Sequence, residues 1–339
     1  MKKTITIALI LILAVFPMYA QNISKIGTTA AGFLNIDVGA RAVAMGSAFV
    51  TVSDDPTAVY WNPAGLANLT STQAMFSHTN WLADITFNYA AVAVPLPGMG
   101  TVGASAVFLT MDDMEKTTIE APMGTGEMFG AGSYSFALSY SRKLTDRFAI
   151  GGNIKYVSER IYHSSANGVA LDVGTLFETQ FNGLTIGMNI SNYGTKMRMS
   201  GRDMLIQTDP DPSIGGNNPN IPSNMETTAF NMPLMFRVGV GMDVLKGKGN
   251  SNLIVAVDAL HPNDDVEYMN IGAEYTFNQL VSIRGGYKSM FKEDSEEGLS
   301  LGGGLKYSVA GVSELRLDYA YVDFGRLNNV QKFTLTLGF

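Results

Sequence analysis

Between residue 72 and the C-terminus the apolar residues recur at every second position, the period of a strand with two unlike faces. At the chain's end Phe333, Leu335, Leu337 and Phe339 share one face, and Thr334, Thr336 and Gly338 the other. Just upstream, Leu315, Leu317, Tyr319 and Tyr321 oppose Arg316, Asp318 and Ala320. The same split runs through 232–245 and 267–277. Reading the whole region this way predicts strands at 72–79, 85–95, 101–110, 133–143, 148–158, 168–179, 183–192, 232–245, 252–260, 267–277, 280–290, 298–308, 314–323 and 331–339.

That makes about 14 strands, and the connections between them differ in length. Tight ones at 95–100, 144–147, 180–183, 246–251, 278–279 and 309–312 contrast with longer ones at 111–132 and 193–231, while 159–167 and 291–297 are intermediate. A soluble sandwich also alternates, but it turns its apolar faces inward and has no reason to follow an export signal with so many long strands. An even strand count with short turns at one end and long loops at the other is the pattern of a membrane barrel. The predicted fold class is therefore all-β, a transmembrane antiparallel β-barrel of about 14 strands with an N-terminal plug, or hatch, segment.

The N-terminus supports export. Lys2 and Lys3 precede an apolar run from Ile5 to Phe16, followed by Pro17 and by Ala20 before Gln21. This is the layout of a cleaved signal peptide over residues 1–20. The apolar run is too short for a membrane-spanning helix, and no later stretch comes closer. Residues 21–71 do not alternate cleanly and are too long for an ordinary connection, so they are assigned to the plug, with the barrel at 72–339.

If the apolar faces meet lipid, the opposite faces line the lumen. Six bases (Lys155, Arg237, Arg284, Lys288, Lys306, Arg316) then face six acids (Asp172, Glu178, Asp243, Asp258, Glu274, Asp318). Such a balance suits ion pairs among strands or with a plug, because an unpaired charge in a poorly hydrated interior is costly. A strongly ion-selective open pore would use one sign of charge. Glycines at 151, 174, 239, 241, 272, 286, 302 and 304 share the lumenal face. They permit either close approach of another backbone or strand curvature, and the sequence leaves both open.

Charge and composition narrow the functions. The 23 Lys+Arg and 30 Asp+Glu give minus seven, or minus nine once Lys2 and Lys3 are removed with the signal (21 bases against 30 acids). That sign opposes nucleic-acid binding. With no cysteine, disulfides, thiolate metal sites and lipidation at an N-terminal cysteine are excluded. Gly98-Met99-Gly100-Thr101-Val102-Gly103 spells a dinucleotide motif, but a strand follows where a helix N-terminus is needed, so it reads as a hairpin turn. His78, His163 and His261 are widely spaced, and no catalytic or metal-ligating constellation emerges. No cofactor and no enzymatic activity are expected. The acidic clusters at 293–297 and 264–265 lack calcium-loop spacing and read as solvated loops.

Two segments carry more specific signals. The 193–231 connection contains Met197, Met199, Met204 and Met225 among Asn, Pro, Gly and Asp. Flexible methionines suit a surface that accommodates partners, and equally a loop folded on a small apolar core over the barrel mouth. In the plug segment, Gly39-Ala40-Arg41-Ala42, Met45-Gly46, Asp54-Asp55 and Trp61-Asn62-Pro63-Ala64-Gly65 stand out, with Asn-Pro-Ala-Gly able to start a short helix at its proline.

This stretch closely resembles the N-terminal signature of the PorV/PorQ family of outer-membrane barrels, themselves similar to FadL-type transporters of hydrophobic compounds. The resemblance implies a hatch inside the barrel, with Arg41 and the Asp54-Asp55 pair anchoring it to lumenal charges. It also implies association with type IX secretion, in which long outer loops engage a translocon subunit or cargo C-terminal signal domains. The aromatic end of the last strand (Phe333, Leu335, Leu337, Phe339) resembles the signal read by the barrel assembly machinery. The expected location is the outer membrane, in contact with its lipid. FadL-like transport of a hydrophobic small molecule is the alternative function.

Overall fold

The computed structural model describes residues 25–216, 218, 220–245, 250–309 and 312–339. The predicted export signal at 1–20 lies outside the described residues. Fourteen strands form a closed antiparallel ring. They are β1 Gln73–Asn80, β2 Thr86–Leu96, β3 Gly100–Thr110, β4 Ala131–Thr145, β5 Phe148–Ile161, β6 Ser164–Glu178 and β7 Thr185–Gly194. The second half comprises β8 Met235–Asp243, β9 Asn252–Pro262, β10 Tyr268–Phe277, β11 Val281–Met290, β12 Leu299–Val309, β13 Val312–Asp323 and β14 Asn329–Gly338. Each strand pairs with its neighbours in sequence, and β1 closes on β14 in a register running from Gln73↔Gly338 to Asn80↔Gln331. Closure removes the free edges that lipid cannot solvate.

Burial alternates along most of the strands and with the sign expected of a barrel in lipid. In β6, Leu171 and Val173 are exposed while Ala170, Asp172 and Leu176 are buried; in β14, Phe333 and Leu335 are exposed while Lys332, Thr334 and Thr336 are buried. Large apolar side chains thus cover the outside. The connections 111–130 and 195–234 lie at the same end of the ring as the turns 81–85, 162–163 and 291–298, and the turns 97–99, 146–147, 179–184 and 278–280 and the C-terminus lie at the other.

One predicted connection is corrected. The reading of 159–167 as an intermediate loop fails, because β5 runs on to Ile161 and β6 starts at Ser164, leaving Tyr162 and His163 as the turn. Tyr162 takes the left-handed region (φ 51°), which normally calls for Gly or Asn. Its ring lies against His163 at 3.7 Å, tilted by 43°, and meets Phe129 edge-on at 6.2 Å, so contacts with the 111–130 connection hold a turn that local residue types do not announce.

Residues from Ala31 to Leu69 form short irregular elements: 3-10 helices Gly32–Asn35 and Pro63–Asn68, and two single-turn helices, α1 Ala40–Ala44 and α2 Ala58–Trp61. Most of this segment is buried, and Phe49, Trp61, Met45 and Leu66 are among the largest fully buried side chains of the described residues. It packs against the buried faces of the strands.

Candidate functional site

A segment with so little regular structure leaves its backbone polar groups without partners unless side chains supply them. Here the buried faces of the strands do so from around the ring. Asp258 of β9 accepts from the Phe49 and Val50 amides at 2.7 and 2.9 Å. Asn153 of β5 donates to the Val59 carbonyl (2.6 Å), Asn189 of β7 to Trp61 (3.0 Å) and Asn270 of β10 to Ser47 (3.3 Å). Ser300 of β12 accepts from the Gly46 amide and Thr334 of β14 from the Ala40 amide, both at 2.9 Å.

The turn at Asn62-Pro63-Ala64-Gly65 is built from its own residues upward. Asn62 caps the Pro63–Asn68 helix, its Oδ1 accepting from the Ala64 amide at 3.2 Å, while proline occupies the first turn, where no amide is needed. The Asn62 Nδ2 donates to Val50 within the segment (3.0 Å) and to Thr175 of β6 (3.1 Å). Trp61 donates its indole N–H to Val38 at 3.1 Å, and the Arg237 guanidinium lies 5.6 Å from its ring centroid. Gly65 sits where a Cβ would strike the Ser53 carbonyl.

Strand glycines make this fit sterically feasible. A Cβ at Gly272 would collide with the Met45 carbonyl, at Gly286 with the Gly46 amide, at Gly302 with Ala44, at Gly151 with Pro63 and at Gly174 with Asn62. Of the two sequence readings for these glycines, close approach of the segment's backbone holds at Gly151, Gly272 and Gly286, while Gly302 and Gly174 receive the side chains of Ala44 and of Asn62 and Pro63. Gly239, Gly241 and Gly304 face side chains as well. Gly39 (φ 77°) and Gly46 (φ 61°) bracket α1 in conformations that glycine adopts without strain.

Charges complete the arrangement in a ring of alternating sign. Arg41 grips Glu274 with two hydrogen bonds of 2.8 Å; Glu274 and Asp318 both hold Arg284; Arg316 lies 3.1 Å from Asp318 and 2.9 Å from Asp55; Asp55 returns to Arg41 at 3.4 Å. Asp54, half exposed, also contacts Arg41. Burial pushes Asp55 up, yet Arg316, Arg41 and the Thr57 hydrogen bonds outweigh it and hold the carboxyl below its ordinary range. Arg41 loses solvation but is held charged by Asp54 and Glu274. A polar cavity of about 310 Å³ beside the ring is lined by Arg41, Asp54, Glu274, Arg284, Lys306 and Arg316.

Two groups that the sequence reading did not single out form a second contact nearer the opposite end. Lys288 pairs with Asp37 at 2.6 Å and with Glu297 at 2.7 Å, Ser47 donates to Asp37 at 2.7 Å, and the Lys332 ammonium contacts the Asp37 carbonyl. Burial raises the Asp37 carboxyl, but Lys288 and Ser47 bring it below its ordinary range. Lys332 was visible in principle, since it shares the parity of Thr334 and Thr336.

The methionines of the 195–234 connection are split. Met197 is buried and bridges to Phe230, and Met199 packs against the core, so the small-core reading fits these two. Met204 and Met225 meet at the neck of a hairpin, Leu205–Thr208 with Ile221–Asn224, and Met225 is exposed. Phe333, Leu335 and Phe339 are exposed on the outer face, and the Phe339 amide bonds to Thr72 at 2.8 Å. The acids at 264–265 and 293–297 serve as loop tethers: Asp265 contacts Lys292, Glu296 contacts Arg326 and Asp264 accepts from Thr29. Among the described residues no cluster of three His, Cys, Asp or Glu is placed to hold a metal.

Solved structures similar to this barrel include FadL-like proteins. The CymD monoaromatic hydrocarbon channel superposes with a TM-score of 0.56 at 10% identity, over 89% of this chain and 97% of its own. The Pseudomonas putida toluene transporter TodX gives 0.54 at 10% identity, covering 89% and 96%. A Pseudomonas aeruginosa FadL homologue gives 0.51 at 14% identity, covering 87% and 96%. At these identities the likeness is one of fold alone. Among curated proteins no sequence relative is found. The sequence model of the type IX secretion system protein PorV, however, matches residues 19–246. The chain belongs to the PorV family of outer-membrane β-barrels associated with type IX secretion.

Proposed function

We propose that this protein is a non-enzymatic outer-membrane component of type IX secretion. In this reading residues 21–71 are a plug, and cargo C-terminal signal domains or partner subunits are captured through the long loops on the extracellular side. Family membership supports the pathway. The observation that carries the mode of action is the segment's fit to the lumen, backbone against glycine and ion pair against ion pair, which leaves the loop end as the surface for macromolecular contact. That end is also where apolar side chains stand in water: Ile119 is 95% and Met123 94% exposed at the tip of the 111–130 connection. Insertion depends on the barrel assembly machinery reading the terminal strand, after removal of the export signal.

The alternative, FadL-like transport of hydrophobic small molecules, draws on the likeness of fold. A lumen lined by ion pairs and amide side chains is a poor path for an apolar solute.

A mild-detergent pulldown from native outer membranes, read by mass spectrometry of proteins and small molecules, tests the reading. Excising 205–224 spares the Met197–Phe230 bridge, and Ile119→Ser with Met123→Ser leaves the backbone unchanged. Capture of a translocon subunit or cargo domains by the parent, lost in either variant, is the expected result. Unchanged capture would remove the loops from the mechanism. A lone barrel retaining a hydrophobic compound would favour transport.

A further inference from the structure

The two-residue turn between β5 and β6 carries a histidine that faces the base of the 195–234 connection. His163 is met there by the short 3-10 helix Arg202–Met204, which leads directly into the hairpin at 205–224. The His163 amide donates to Asp203 Oδ2 at 2.8 Å, and Ser164 donates to the same oxygen at 3.1 Å. The ring lies between charges of opposite sign, with Nδ1 3.0 Å from Asp203 Oδ1 and Nε2 2.7 Å from Arg202 Nη2. The loop backbone comes close here as well. Ser200 and Gly201 pair with Ser165 and Ser164, and a Cβ at Gly201 would strike the His163 carbonyl.

The chemistry of the two partners fixes where the imidazole keeps its proton. A guanidinium only donates, so Nε2 accepts from Arg202 and carries no proton. The single proton of the neutral ring is then on Nδ1, donated to the Asp203 carboxylate. Desolvation raises Asp203, but hydrogen bonds from the His163 amide and ring and from Ser164 outweigh it and hold the carboxyl below its ordinary range. Asp203 therefore stays charged while imidazoles titrate, between about pH 8 and pH 5. A second proton on the ring has only Nε2 to occupy. It turns the acceptor into a donor, 2.7 Å from a nitrogen that also donates and bears like charge. Asp203 keeps its bond, and Arg202 loses its own. The other charges about this turn are Arg160, whose Nε donates to the Tyr162 carbonyl at 3.1 Å, and Glu127, which accepts from the Tyr162 hydroxyl and pairs with Lys116 at 2.9 Å. None of these contacts uses the imidazole, so the 111–130 side of the turn stays in place.

We propose that His163 is a proton-operated latch at the loop end of the barrel. Neutral, it fastens the base of the 205–224 hairpin to the β5–β6 turn through Arg202; protonated, it releases Arg202 and loosens that base, while the 111–130 connection remains held. The proposal concerns how the connection is fastened and not what it captures, so it stands or falls apart from the reading in secretion.

The full chain, folded in detergent micelles with its three histidines labelled at nitrogen, provides the test. At pH 8 the His163 nitrogen shifts, assigned by their loss in His163→Gln, should report a proton on Nδ1 and none on Nε2. Between pH 8 and pH 5 hydrogen-exchange protection at 201–205 should fall about fivefold, the size expected for one hydrogen bond, with protection at 127–129 unchanged. Arg202→Ala should show the lower protection at both pH values. His163→Gln, whose amide offers an acceptor and a donor but takes no proton, should show the higher protection at both. A proton on Nε2 at pH 8, a parent indifferent to pH, or an equal pH response in His163→Gln overturns the proposal. Should His163→Gln fail to fold, the parent and Arg202→Ala decide the matter: a pH response that survives without Arg202 also overturns it.

Discussion

Arg41 meets Glu274 side-on, Nε to Oε2 and Nη2 to Oε1, both at 2.8 Å, joining α1 to β10 across 233 residues of sequence. Both side chains are buried. A paired geometry of this kind uses two of the guanidinium's donors, and the acidic pair at 54–55 meets its remaining terminal nitrogen.

Removing either partner should be costly, and not equally. Glu274→Gln takes one carboxylate from two buried arginines at once, leaving Arg41 with Asp54 and Asp55 and Arg284 with Asp318, whereas Arg41→Ala leaves Glu274 held by Arg284 at 2.5 Å and Asp55 by Arg316 at 2.9 Å. The expected loss for Glu274→Gln is about 3 kcal/mol in denaturant unfolding, with Arg41→Ala losing less. The reverse order would remove Glu274 from its place as the shared acceptor.

Glycines on the two sides of the wall should respond oppositely. At Gly272 an added methyl group meets the Met45 carbonyl, and at Gly303 it meets only open space and an ordinary contact. Gly272→Ala should destabilise by about 1–3 kcal/mol and make residues 31–69 more accessible to protease, while Gly303→Ala stays within about 0.5 kcal/mol of the parent. Matching protease patterns for the two variants would contradict the close approach.

Asn62 serves the segment and the wall together. Asn62→Ala should lose about 1–3 kcal/mol, because the Val50 and Thr175 carbonyls and the Ala64 amide all lose a buried partner. Asn62→Asp keeps the cap but cannot donate, so hydrogen exchange should rise at the Val50 side first. An Asp variant as stable as the parent would show that the two donated bonds contribute little.

Acid should loosen the N-terminal segment. Asp37 and Asp55 have folded-state values below those of free aspartate, so their contribution is complete above the ordinary range near about 3.9 and disappears as pH falls through the depressed values. Proteolysis of the folded barrel between pH 7 and pH 2 should therefore show residues 25–69 becoming cleavable only at the acid end. Asp55→Asn should be more readily cleaved at neutral pH and lose part of this pH dependence. A segment released already near pH 6 would assign the control to other groups.

Much of the architecture follows from alternation alone. Lipid outside and a polar interior impose a period of two on every strand, and each of the 14 predicted strands is present with its ends displaced by a few residues at most. The exceptions are informative. Strand β6 starts earlier than predicted because Ser164, Ser165 and Asn167 carry no apolar alternation, and the turn before it depends on Tyr162, a residue type with no local turn signal.

The sequence by itself determined the period, the strand count, the sorting of outer from inner faces and the cap chemistry of Asn62-Pro63, because these depend on neighbours within a few positions and on the solvent each face meets. Its resemblance to a family signature also implied that Arg41 and the 54–55 acids are anchoring charges. Only the tertiary structure decided which partners they find, because register and closure bring together residues more than 200 positions apart. The same holds for the glycines. A missing Cβ reads identically in sequence whether it curves a strand or admits a carbonyl, and the difference appears only when the Met45 backbone lies against Gly272. Asp37 and Lys332 were missed for that reason too: each gains its role from a partner far away in sequence, Asp37 from Lys288 and Lys332 from the Asp37 carbonyl.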